Sequence, residues 1–221
     1  MSITEKKPYS KVVAGEIQST RGYIRRQVWT NPILADADRL KNDQASSNTV
    51  VTTITTFLAQ PDFPRNITIT PGGTTGSVPA ANVVVTGTNI RGEVISENIL
   101  LTENGSSLVS GAKAFKTVTS IVLPIQDGAG ATYDIGVGDV LGLDRKMSEA
   151  AVVDVFAAGV RETTAVTVTF SATVTTAVTV TFSATAVESN TINPDTALDG
   201  AVDFAAYFIS TEKTSSSATT S

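Results

Sequence analysis

Cysteine and histidine are both absent from this chain of 221 residues. Without them there is no Ser-His-Asp triad, no Cys-His nucleophile and no zinc site of the usual Cys/His kind. Disulfides are excluded too, so stability rests on burial and hydrogen bonding. Charge is also scarce. Asp, Glu, Lys and Arg make up 17% of residues, against about a quarter in an average soluble domain. Met1 to Thr30 holds no apolar stretch of signal-peptide type, because Lys6, Lys7, Lys11, Arg21, Arg25 and Arg26 interrupt it. No window approaches the 18 consecutive apolar residues of a membrane-crossing helix. A Walker loop and a strand–GxGxxG–helix unit are missing as well. The triplets Asn66-Ile67-Thr68 and Asn104-Gly105-Ser106 read as chance occurrences in a Thr/Ser-rich chain rather than as glycosylation sites.

What is abundant is β-branched. The 34 Thr and 26 Val suit a pleated surface and are stiff at χ1. The length suits one large or two small domains of about 100–200 residues each, and a compact chain of this size buries about 70% of its unfolded surface. Together these features predict an all-β protein, an antiparallel β-sandwich or barrel with an extended N-terminal arm, suited to a structural or binding role.

The charges divide the chain. Residues 1–41 carry eight basic and four acidic side chains, net +4, leaving net −9 for the other 180. We read residues 1–47 as a partly extended arm, 48–210 as a β-rich domain with a possible division into two subdomains near 143–150, and 211–221 as a Ser/Thr-rich tail. Tyr9, Tyr23, Ile24, Trp29, Ile33 and Leu34 give the arm apolar anchors. It either docks on a neighbouring subunit or packs along its own domain. Arg21, Tyr23, Arg25, Arg26 and Trp29 form its candidate protein interface, since Trp, Tyr and Arg dominate interface hot spots. A nucleic-acid role for the same arginines is opposed by the acidic pI of about 4.8.

Strand signals follow at intervals of 10–15 residues. Thr49 to Phe57 is a β-branched run closed by Gln60-Pro61-Asp62-Phe63-Pro64. Arg65 to Thr70 alternates, with Ile67 and Ile69 on one face, and Pro71-Gly72-Gly73 is expected to end it. Asn82 to Gly87 and Glu93 to Thr102 flank a turn at Asn89-Ile90-Arg91-Gly92. Asn104-Gly105 carries a strong hairpin signal. Ala114 to Leu123 is a strand, and Thr132 to Leu143 is another whose glycines mark bulges or close approach. Met147 to Glu162 reads as strand and turn, with a capped helix as the alternative.

The sharpest feature is a repeat. Thr163 to Thr173 recurs unchanged as Thr175 to Thr185. The offset of twelve is even, so side-chain parity is kept. The pair forms either one strand of about 70 Å at roughly 3.3 Å per residue or two strands of a hairpin. Being uncharged and rich in β-branched residues, it would be hazardous as an exposed edge and safe against a partner.

Chemistry is sparse. Asp127, Asp134 and Asp139 lie among glycines, but their spacing of seven and five lacks the density of a calcium loop, and the segment reads as a turn plus a bent strand. No two of the 21 acids stand out as a glycosidase pair. We therefore expect no catalytic residues, no metal and no cofactor.

Phe57 to Ile69, Val85-Thr86-Gly87-Thr88-Asn89-Ile90-Arg91-Gly92-Glu93 and Lys113 to Ile121 together resemble β-sandwich structural proteins of tailed-bacteriophage virions, over roughly residues 48–208. The resemblance implies a non-enzymatic capsid decoration or head-fibre-like subunit in the virion, assembled in the host cytoplasm. Its implied partners are the major capsid protein and copies of itself, a trimer being compatible, with no nucleic acid and no membrane. A tail-tube or tail-tip subunit is the alternative within this class, and a host-surface glycan-binding module is the alternative outside it. The repeat departs from the family pattern.

Overall fold

A computed structural model describes residues 11–13, 16–18, 23–147, 152–162, 167–168, 179–181 and 186–210. In chain order the first strands are β1 (Lys11–Val13), β2 (Glu16–Gln18), β3 (Tyr23–Trp29), β4 (Asp36–Ala45), β5 (Thr52–Ile54) and β6 (Arg65–Gly73). Next come β7 (Asn82–Thr88), β8 (Val94–Leu100), β9 (Val109–Ser110), β10 (Thr117–Leu123) and β11 (Ala131–Gly142). The last are β12 (Val152–Ala157), β13 (Val160–Arg161), β14 (Thr167–Val168), β15 (Thr179–Thr181), β16 (Thr191–Asn193) and β17 (Phe204–Ser210). Among the described residues there is no α-helix, only a 3-10 turn at Val187–Ser189.

These strands build several sheets, predominantly antiparallel, and no closed barrel. One is ordered β5-β10-β7-β8, a second β14-β15-β16-β11-β6-β9 with β4 also on β11, and a third β13-β12-β17-β3. β1 and β2 pair separately. Two apolar clusters organise them. In the first, Ile67, Ile69, Tyr133, Ile135, Val137 and Leu40 from β6, β11 and β4 face Val83, Val85, Ile95, Ile99, Ile121 and Leu123 from β7, β8 and β10. Sheet lies on sheet, a β-sandwich packing. The second cluster gathers Trp29, Val155, Phe204, Ala206 and Phe208 from β3, β12 and β17 against Leu141, Leu143, Met147, Ile192 and Leu198. β11 reaches both clusters, and Gly142 just beyond Leu141 pairs with Thr191 of β16.

The glycines of β11 act as the sequence suggests, through close approach. A Cβ on Gly136 would lie 1.8 Å from the Asp36 carbonyl oxygen, and one on Gly142 would lie 2.6 Å from the Ala114 methyl. Between Val137 and Leu141 the register with β6 slips from Ile67 to Arg65, so Gly138, Asp139 and Val140 form a bulge. The turn at Ala158-Gly159, with φ of 49° and 75°, joins β12 to β13, so 152–161 is strand and turn.

Several expectations need correction. Thr49–Phe57 yields only the three residues of β5, and Val50 and Val51 are exposed. β6 does not stop at Pro71 but continues to Gly73, with Pro71 opposite Tyr133. β9 pairs only with Thr68 and Ile69, so further along β6 the edge away from β11 has no described strand to lose a bond to the missing N–H. Asn104 does turn, with φ of 51° and Gly105 N–H donating to the Thr102 carbonyl at 2.9 Å. It joins β8 to β9, which lie in different sheets, so it is a sheet-to-sheet crossing and not a hairpin. In the repeat, Thr167 pairs with Thr179 and Val168 with Val180, in parallel. Each of these two residues therefore lies beside its own twin, which neither a straight strand nor a hairpin provides; Thr181 pairs with Thr191 of β16, and the rest of the repeat lies outside the described residues, as does the 211–221 tail.

Tyr23–Trp29 and Asp36–Ala45, within the stretch read as an arm, run in the chain's own sheets. β3 pairs along its full length with β17, from Trp29–Phe204 to Tyr23–Ser210. β4 pairs with β11, with two register slips.

Candidate functional site

The candidate interface residues do not act as one unit. Arg21 lies outside the described residues, and Tyr23 contributes its backbone to β3. Trp29 is 1% exposed and belongs to the second apolar cluster. It anchors β3 to its own domain and is unavailable to a partner. Strand parity explains the division. Trp29, Gln27 and Arg25 stand opposite Phe204, Ala206 and Phe208 on the inner face, while Val28, Arg26 and Ile24 stand opposite Ala205, Tyr207 and Ile209 on the outer one.

That outer face is unusual for a sheet whose other side is core. Solvated faces of antiparallel sheets are ordinarily polar, yet Ile24 is 70% exposed and Val28 36% exposed. Phe156 of β12 meets Tyr207 edge-on, with ring centroids 5.6 Å apart. The Arg26 guanidinium sits 5.9 Å from the centre of the Tyr207 ring, a cation–π placement. Among the described residues no acid pairs with Arg26. Arg26, Val28, Phe156 and Tyr207 line an open depression of about 730 Å³. Asp203 stands at its other end and accepts the Asn31 backbone N–H at 3.1 Å. At the opposite corner Arg161 pairs with Asp154.

The buried polar side chains are turned onto the chain's own backbone. Arg65, fully buried, donates from Nε to the Gly138 carbonyl at 2.7 Å and from Nη1 to the Ile33 carbonyl at 2.8 Å. Asp62 lies 3.3 Å from Nη1 and accepts the Ile33 N–H at 2.9 Å, and Asp139 lies 3.7 Å from Nη2. Burial pulls the Arg65 pKa below its ordinary value despite these two acids. Gln60 both donates to and accepts from Val118. Gln126 does the same with Ala131, and Gln27 bridges Gly142 and Asp144. Each glutamine thus supplies the two bonds that a neighbouring strand would make. Sequence reasoning missed these residues, because an isolated Arg or Gln in a polar stretch gives no sign of burial.

The acids of the glycine-rich segment diverge. Asp134 accepts the Asp43 N–H at 2.8 Å, while Asp139 faces Arg65. Among the described residues no three acidic side chains converge into a group able to hold a metal ion. Comparison with protein-family models gives no match, and neither curated proteins nor solved structures match this chain.

Proposed function

We propose that this chain is a non-enzymatic structural subunit of a tailed-phage particle, a capsid decoration protein that docks through the outer face of the β3–β17–β12 sheet. The observation that carries the docking reading is the outer row of exposed Ile24 and Val28 and half-buried Phe156 and Tyr207, with Arg26, which no acid pairs among the described residues, beside it. Tyr and Arg around an apolar centre are the side chains that dominate protein interfaces, and an apolar face of this kind costs solubility unless something covers it. The backbone-directed buried side chains fit the same role, since they stiffen the bulges and crossings of a scaffold. The particle itself is the part of the proposal that the family resemblance supplies.

The face defines its partner's chemistry. Arg26 and Trp29, whose partner Phe204 directly follows Asp203, are three residues apart along β3, about 10 Å at roughly 3.3 Å per residue. The complementary surface is an apolar protein protrusion with an acid placed toward Arg26 and a donor toward Asp203. The test is co-sedimentation of the recombinant protein with particles stripped of it, using wild type, Arg26→Glu and Val28→Asp. Stoichiometric binding by wild type, lost in both variants while their thermal midpoints stay put, supports the proposal. Binding that survives both substitutions, or a wild-type protein absent from purified particles by mass spectrometry, overturns it.

A further inference from the structure

A second hollow lies on a different sheet, against the bulge of β11. It measures about 450 Å³ and is lined by Asn66, Thr68, Ser110, Asp139, Asn193 and Leu108, among others. Parity assigns the side chains. Ile67 and Ile69 of β6 point into the first apolar cluster, so Asn66 and Thr68 point the other way, into the hollow. Thr68 is 2% exposed and its hydroxyl has no hydrogen-bond partner among the described residues. Such a group is costly, because a buried hydroxyl forgoes water without compensation. Asn66 beside it is engaged with backbone, accepting the Val140 N–H at 3.2 Å and donating to the Gly111 carbonyl at 3.3 Å.

We propose that this hollow binds a neutral saccharide residue, with the Thr68 hydroxyl as the group its binding satisfies. The lining excludes the other ligand classes. An anion meets the Asp139 carboxylate, and Arg65, the nearest cation of the network, is fully buried and committed to Gly138, Ile33 and Asp62. A calcium ion would find a single carboxylate, too little charge for such a site. An apolar ligand would leave the Thr68 hydroxyl stranded and desolvate Ser110 and Asn193 as well. What remains is a molecule offering both donors and acceptors together with a small apolar face, for which Leu108, 50% exposed, provides contact. The volume lies within the range of small-molecule sites, about 300–1,000 Å³.

The site is independent of the docking face, and the experiment separates them. The full chain, labelled with ¹⁵N, is titrated with D-glucose, D-galactose and N-acetyl-D-glucosamine up to about 10 mM, where millimolar affinities saturate. The expected result is saturable shifts of the Thr68, Ser110 and Gly111 amides with at least one of them. Thr68→Val, which keeps the side-chain shape, is expected to lower affinity about tenfold, the loss of one buried hydrogen bond. Ser110→Ala, at a more open position, weakens binding without touching the core, while Arg26→Glu leaves it unchanged. Absence of saturable shifts with all three sugars overturns the proposal. So does unaltered affinity in Thr68→Val, or a fall in its thermal midpoint without any sugar binding, which would assign the hydroxyl to a fixed water.

Discussion

Through its side chain Arg65 ties together three stretches: the segment at Ile33, the loop at Asp62 and the β11 bulge, where Gly138 accepts from Nε and Asp139 lies more distantly from Nη2. Truncation by Arg65→Ala removes two short hydrogen bonds to carbonyls and leaves Asp62, whose side chain is only 16% exposed, without its counter-charge. Breaking a buried pair in this way costs about 3–5 kcal/mol. Arg65→Lys recovers little, because one ammonium cannot reach both carbonyls as the planar fork does. The lowered Arg65 pKa has burial as its largest cause, so desolvation outweighs the attraction of the acids. It follows that removing the whole pair is gentler than removing half. Arg65→Met with Asp62→Leu is expected to be less destabilised than Arg65→Ala by about 2 kcal/mol or more, as apolar replacement of buried ion pairs is often neutral. Urea unfolding of wild type, Arg65→Ala, Arg65→Met, Asp62→Leu and the Arg65→Met/Asp62→Leu double variant at one pH, with slopes compared, measures this. A cost below about 1 kcal/mol for Arg65→Ala, or strictly additive effects of the two single substitutions, would refute the reasoning.

Gly136→Ala forces a methyl to within 1.8 Å of the Asp36 carbonyl oxygen, so β4 must leave β11. A loss of about 3 kcal/mol or more is expected by chemical denaturation, at the upper end of overpacking effects, with exchange protection lost first along 36–45. Burial raises the Tyr133 pKa above its usual 10.0. The folded state then holds the phenol proton to higher pH than the unfolded chain does, so stability falls as pH rises from about 10 upward. Tyr133→Phe flattens that limb, and ultraviolet titration shows one tyrosine ionising late. Excision of residues 163–174 leaves Glu162 followed by the same eleven residues as before, and β14 pairs only with β15 among the described strands. The thermal midpoint is expected to move by less than about 4 °C, the equivalent of about 1 kcal/mol at this size. Loss of cooperative unfolding would show instead that the two copies are not interchangeable.

The β-rich body was readable because its strands obey period two and its turns carry the residues that turns need. Val83 and Val85 alternate with exposed or half-buried neighbours in β7, and Gly92 takes φ of 79° where β7 turns to β8. The N-terminal strands were hidden by charge. In β3 the arginines fall on both faces, Arg25 inward and Arg26 outward, so no alternation survives. In β4 only Leu40 is buried outright, and two register slips break what period remains. Long-range pairing with β17 and β11 makes these segments strands, which no local pattern reports.

The same physics separates the visible from the invisible parts of the sites. Composition marks Arg26 and Trp29 alike as interface residues, but one step along a strand reverses the face. Trp29 therefore goes to the core while Arg26 and Val28 go to solvent. Only the register Phe204–Trp29, fixed by the partner strand, decides which of the two faces is which. The hollow at Thr68 depends on more still. It needs the slip between Val137 and Leu141 that opens β11 beside Asn66, and that slip accommodates Arg65, whose Nε holds the bulged Gly138 carbonyl. A buried arginine on β6 thus shapes a pocket on the opposite face of the same strand. If that coupling holds, Arg65→Lys weakens sugar binding at Thr68 even though Arg65 does not line the hollow.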